Sequence, residues 1–140
     1  MKRLGAFFLF FTICYHSYAS QPPVESVIAP LAHKSLLLDI SHVGDTKIVA
    51  VGQHGHILFS IDGDNWQQAN VPVQSTLTSV YFIDSNNGWV VGHDATILAT
   101  KDGGKTWDIQ QYLPELERPL FDVVFKNTQQ GIAIGAYGQF

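Results

Sequence analysis

The 140-residue chain is poor in cysteine, in arginine and in charge of either sign. Its single cysteine, Cys14, falls inside an apolar stretch near the N-terminus. Residues 20–140 therefore hold no thiol, and no disulfide can brace them. Charged residues are 14% of the chain, where a soluble domain averages about a quarter. So little charge suits strands joined by tight turns and leaves few solvated helix faces. No window sets apolar residues at i, i+3 and i+4 over three turns, which disfavours a helical solenoid. Beyond residue 19 there is one arginine, Arg118, and six basic residues stand against twelve acidic ones, a net of −6. That balance argues against nucleic acid and anionic membrane as partners, because both reward clustered Lys and Arg.

What is present begins with "MKRLGAFFLFFTICYHSYAS". Lys2 and Arg3 precede an apolar run, residues 4–13, that is too short to anchor stably across a bilayer. Ser17, Tyr18 and Ala19 then place small residues around a cleavage point. Residues 1–19 read as a secretory signal peptide, so the domain is expected to be exported. Ile13 stands where a lipobox needs Gly, Ala or Ser before its cysteine, so Cys14 reads as an apolar filler.

The strongest signal is internal repetition. "VAVGQHGHILFSIDG" (49–63) aligns with "WVVGHDATILATKDG" (89–103) at an offset of 40, with six of fifteen positions identical. A third copy, "LFDVVFKNTQQGIAIGAYGQF" (120–140), aligns with the second at an offset of 43. Within each unit the hydrophobic period is two, as in "LTSVYFID" and "LFDVVFKN", and polar turn clusters separate the runs. Four short strands in roughly 40 residues is the dimension of one propeller blade. The fold class expected is all-β: a β-propeller of four-stranded antiparallel blades, at about 36–72, 76–112 and an incomplete 119–140.

"HDATILATKDGGKTW" (93–107) poses a choice. Gly104-Lys105-Thr106 looks like the end of a phosphate loop, but the required first glycine is Ala99, and Pro114 blocks a following helix. The alternative is a hairpin of the form S/T-x-D-x-G-x-T-W, an Asp-box, in which the aspartate takes main-chain N–H groups of its own turn. Its residues are Thr100, Asp102, Gly104 and Trp107 in the second copy, and Ser60, Asp62, Gly63 and Trp66 in the first. The first copy, "SIDGDNW", is one residue shorter and is read as carrying Asp64 at the left-handed position that Gly104 fills. The Asp-box is structural in this reading, and no catalytic residue is assigned.

These boxes and the text "GWVVGHDATILATKDGGKTW" resemble the BNR/Asp-box β-propeller proteins. The similarity is greatest to the photosystem II stability/assembly factor family. The resemblance covers about residues 36–140. It implies an exported, non-enzymatic scaffold without a cofactor, in the periplasm, the thylakoid lumen or secreted. It also implies a protein partner, a membrane-protein complex such as photosystem II in photosynthetic relatives, with no membrane insertion of its own after cleavage. The arginine-rich docking patch that the resemblance implies would have only Arg118 to draw on.

Three other chemistries are suggested by these residues. A glycan-binding or sialidase-like Asp-box protein is the alternative function, but that hydrolysis needs an arginine cluster beside a Tyr/Glu pair. Arg118 is alone, and the glutamates beyond the leader are Glu25, Glu115 and Glu117. His54-x-His56 is a candidate metal pair if both lie on one strand face, with His93 or Asp94 as a further ligand; against it, two ligands do not define a site. Asp62-Gly63-Asp64-Asn65 hints at calcium, but Trp66 takes the next ligand slot.

Two and a half units do not close a ring, and propellers close with about four to eight blades. The text stops at "GAYGQF", where a third strand is due. The expectation is an N-terminal piece of a protein of roughly 300 residues or more, insoluble or molten if expressed alone. Residues 20–35 are assigned by position as a connector or a strand closing the last blade.

Overall fold

The computed structural model describes residues 22–138. The signal-peptide assignment lies outside them. Among the described residues, ten strands form three antiparallel sheets. The first blade holds β1 (Leu37–Val43), β2 (Lys47–Gly52), β3 (Ile57–Ser60) and β4 (Gln67–Gln68), in that spatial order. The second holds β5 (Leu77–Phe82), β6 (Gly88–Gly92), β7 (Ile97–Thr100) and β8 (Asp108–Gln111), again in chain order. A third sheet pairs β9 (Leu120–Asn127) with β10 (Gln130–Gly135). The molecule is an all-β array of propeller blades.

The repeat is kept in detail. The innermost strands β1 and β5 carry a register shift at equivalent places, between Leu37 and Asp39 and between Leu77 and Ser79. β9 has one opposite Ile134/Gly135. The glycine ending each second strand has one cause. A Cβ on Gly52, Gly92 or Gly135 would stand 2.1, 2.3 or 2.4 Å from the carbonyl oxygen of Leu36, Thr76 or Pro119. The chain entering each inner strand crosses too close for any side chain.

Blades pack face to face through small aliphatics. Val49, Val51 and Ile57 of the first blade share a buried cluster with Leu77, Val80, Val90 and Trp107 of the second. Trp89, Val91 and Ala99 meet Leu120 and Val123 of the third sheet. There the rings of Trp89 and Phe125 stack at 3.5 Å and 8°. Each such side chain fully buried contributes roughly 1.5–3 kcal/mol. Val80 and Val123, at equivalent positions, are each 5% exposed because a preceding blade covers them.

Polar bonds tie the inner strands as well. The Ser79 hydroxyl lies 2.9 Å from both Asp39 Oδ2 and Asp122 Oδ1, and Val80 N–H donates to Asp39. Lys47 Nζ donates to the Gly103 carbonyl of the next blade while lying 4.7 Å over the Phe59 ring.

The segment before β1 runs along the outer edge of the first blade. Ser26 N–H donates to Val71 O, and the Gln68 side-chain amide both accepts from Ala29 N–H and donates to Val27 O. A glutamine thus imitates a strand bridge and covers the edge of β4.

Candidate functional site

The third-to-fourth-strand turns are built by two residues each. In the second blade, Asp102 Oδ1 accepts the N–H groups of Lys105 and Thr106, both at 3.0 Å, and the Thr100 hydroxyl at 2.8 Å. Its Oδ2 accepts the Thr106 hydroxyl at 2.6 Å. In the first blade, Asp62 Oδ1 accepts from Asp64 N–H, Asn65 N–H and the Ser60 hydroxyl. Asp62 Oδ2 accepts from the Asn65 amide at 2.7 Å. Neither aspartate is free for chemistry on a substrate.

These bonds fix the carboxylates in their charged form. For Asp102, burial alone would raise the pKa, but the Thr106, Thr100 and Lys105 donors outweigh it and hold the group at about 2. The Asn65 side chain, then the Asn65 and Asp64 N–H groups, hold Asp62 well below the carboxylate range.

One expectation about the shorter box is corrected. Asp64 is not left-handed; the left-handed residue is Gly63, at φ +81°. Gly63 N–H donates to Ser60 Oγ at 3.0 Å, as Gly104 N–H (φ +83°) donates to Thr100 Oγ1 at 2.8 Å. Gly63 is therefore the counterpart of Gly104, and Asp64 that of Lys105. The deleted residue corresponds to Gly103, so no aspartate of either box has to bear a left-handed backbone.

The two tryptophans differ. Trp107 is 5% exposed and meets Phe82 edge to face at 6.0 Å. Trp66 is half-buried, and its Nε1–H donates to Gly63 O.

The opposite face carries the second-to-third-strand turns and the connectors between blades. His54 sits in such a turn at φ +60°, and not on a strand, so the shared strand face assumed for His54 and His56 does not exist. His56 is 6% exposed, with Nδ1 2.9 Å from Ser35 Oγ. Burial, then His54, depresses its pKa. Asp94, proposed as a further ligand, accepts the Ser75 hydroxyl at 2.5 Å. Among the described residues, no group of three or more His, Cys, Asp or Glu is placed to hold a metal ion.

Ser35 and Ser75 are equivalent serines one blade apart and each bonds into the turn that follows the second strand, but at different positions, His56 in one blade and Asp94, the counterpart of His54, in the next; sequence reasoning missed both. The 40-residue offset between Ser35 and Ser75 was the available signal. The connector bonds close this face further: Ala95 N–H donates to Arg118 O, and Leu113 N–H to Asp94 O. Arg118, Glu115 and Glu117 all lie exposed in that connector, which leads into β9. Among the described residues no helix is long and apolar enough to cross a membrane.

Comparison with known proteins agrees with this architecture. A photosystem II assembly protein Ycf48 of Thermosynechococcus vestitus is 39% identical over 49 residues, covering 35% of this chain and 14% of that protein. The chloroplastic photosystem II stability/assembly factor HCF136 of Cyanidioschyzon merolae is 39% identical over 100 residues, 66% of this chain and 22% of that protein. The chain thus spans about a quarter or less of the length of these relatives. A solved structure of YCF48 bound to a D1 peptide superposes with a TM-score of 0.66 at 22% identity, over 84% of this chain and 41% of that one, and so shares its fold. The family model described as photosynthesis system II assembly factor YCF48 matches residues 60–138, more than half of the sequence and both Asp-boxes, and to that family the chain belongs.

Proposed function

We propose that this chain is part of an exported, non-enzymatic propeller that binds a polypeptide and serves as a scaffold for assembling a membrane-protein complex of the photosystem II kind. The family match over residues 60–138 carries this reading. Three further observations support it. The related fold has been solved with a D1 peptide bound. The box aspartates are consumed by their own turns. The leader has the layout of a secretory signal.

Binding of the D1 peptide, measured by calorimetry at fixed salt, tests the reading directly. Saturable binding is the expected result. Absence of binding, together with unchanged photosystem II accumulation when the gene is deleted, would sink it. Export to the periplasm or lumen is tested separately by fusing residues 1–21 to a reporter and following its compartment.

A further inference from the structure

We propose that His54 and His56 together hold one exchangeable divalent transition-metal ion of the kind imidazole favours, with zinc as its simplest representative. The site is independent of the polypeptide binding proposed above. A shared strand face is not what joins the two rings. The turn does that: with His54 at φ +60°, the ring centres lie 5.9 Å apart. Two imidazoles on one ion, at metal–nitrogen distances of about 2.0–2.1 Å, put their ring centres roughly 5–6 Å apart.

The hydrogen bonds around His56 choose which of its nitrogens is offered. Ser35 Oγ lies 2.6 Å from Ala32 O, and a carbonyl has no hydrogen, so the serine hydrogen is committed there. At His56 the same oxygen accepts, and the hydrogen of that 2.9 Å contact is carried by Nδ1. Burial and the neighbouring His54 keep the ring uncharged at neutral pH, so Nε2 keeps its lone pair. Metal-bound histidines have this arrangement: one ring N–H is anchored on a fixed acceptor, and the other nitrogen is free to coordinate. Among the described residues neither His56 Nε2 nor the exposed His54 ring has a hydrogen-bond partner.

The next blade shows that the fold does not call for this pair. At the places of His54 and His56 it has Asp94 and Thr96. There the equivalent serine, Ser75, gives its hydrogen to Asp94. In the first blade the serine turns to Ala32 O instead and offers its oxygen to His56. His54 is thereby left unbonded beside an imidazole whose tautomer is set. Two protein ligands leave the remaining positions to water or to a group brought by a partner, so the site is weaker than a closed four-ligand site. Imidazole nitrogen selects zinc, copper or nickel over magnesium and calcium, which favour oxygen.

The test uses the whole propeller of which this chain is proposed to be part, stripped of metal at the start. Imidazole nitrogen NMR at neutral pH should first show His56 protonated on Nδ1 alone. Added Zn²⁺ should then shift His56 Nε2 and a His54 nitrogen together along one saturating curve, while Mg²⁺ shifts neither. Two variants follow. His54→Asn keeps a residue type that tolerates left-handed φ and should melt, without metal, as the unaltered protein does. His56→Thr installs the residue of the next blade. Each should bind Zn²⁺ at least about ten-fold more weakly. The site is overturned if His56 carries its hydrogen on Nε2, or if His54→Asn binds Zn²⁺ within about two-fold of the unaltered protein. It is overturned also if Zn²⁺ moves His33, His42 or His93 and leaves His54 and His56 unmoved.

Discussion

Asn65 stands where Thr106 stands. Each donates its side chain to the outer oxygen of a box aspartate, at 2.7 Å to Asp62 and 2.6 Å to Asp102. One loop is a residue shorter than the other, yet the carboxylate in each collects two consecutive N–H groups, one hydroxyl and one further side-chain donor. The turn is specified by the donors around its aspartate more than by its length.

Removing that centre should loosen the hairpin. Asp102→Ala strands the N–H groups of Lys105 and Thr106, and the expected cost is about 1–2 kcal/mol, by analogy with loss of a helix cap. Urea unfolding measures it, run like the measurements below on the whole propeller of which this chain is proposed to be part. Asp62→Ala should destabilise in the same direction but less, because its hairpin anchors a half-buried tryptophan in place of a buried one.

Acid should act through the same groups. The folded pKa of Asp102 is depressed to about 2, and those of Asp62 and Asp84 are depressed also, the last by Asn87 and Asn86. An unfolded aspartate titrates near 3.9. A depressed folded pKa gives stability that is present above the unfolded value and lost as pH falls toward the folded one. The melting temperature should hold to about pH 4 and then drop toward pH 2. Asp102→Asn should flatten part of that drop, as a series of melts at graded pH would record.

The tryptophans should separate cleanly. Trp107→Ala empties space beside Phe82 in the cluster between the first two blades, and should cost about 3–5 kcal/mol. Trp66→Ala removes a half-exposed ring and one bond to Gly63 O, so a clearly smaller loss is expected. Equal losses in denaturant titrations would contradict the packing described.

Two glycines should fail for different reasons. Gly92→Ala drives a Cβ to 2.3 Å from Thr76 O, a collision with backbone that no rotamer relieves, and cooperative unfolding should be lost or sharply weakened. Gly63→Ala meets nothing within 4 Å and suffers only its φ of +81°, roughly 1 kcal/mol. Thermal melting of the pair distinguishes steric from conformational need.

Ser79→Ala tests the link between inner strands. It leaves Asp39 and Asp122 without the hydroxyl that lies 2.9 Å from both, and should cost on the order of 1 kcal/mol. Unfolding in urea at neutral pH reads this loss.

Much of this was legible in the residues because the repeat sits at short range. Alternation in "LTSVYFID" marks β5, and Asp102 with Trp107 marks a turn whose bonds span only a few residues. The register of the shorter box was not legible. Gly63 and Asp64 are adjacent, and only the bond from Gly63 N–H to Ser60 Oγ shows which one fills the left-handed place. The His54-x-His56 spacing misled for a related reason: a strand-face argument presumes extended backbone, and His54 lies at φ +60°.

The order of residues by itself determined the blade. A two-residue hydrophobic period and a box of Asp, Gly and Trp act within a few residues, so a single unit announces them. Tertiary structure alone decided what each blade does to its neighbour. Ser79 comes between Asp39 and Asp122, and the Gln68 amide takes over a strand's edge bonds, only when chain segments about 40 residues apart are brought together. Local bonding acts on neighbours in the chain, whereas packing acts on neighbours in space, and only the first is written out in sequence.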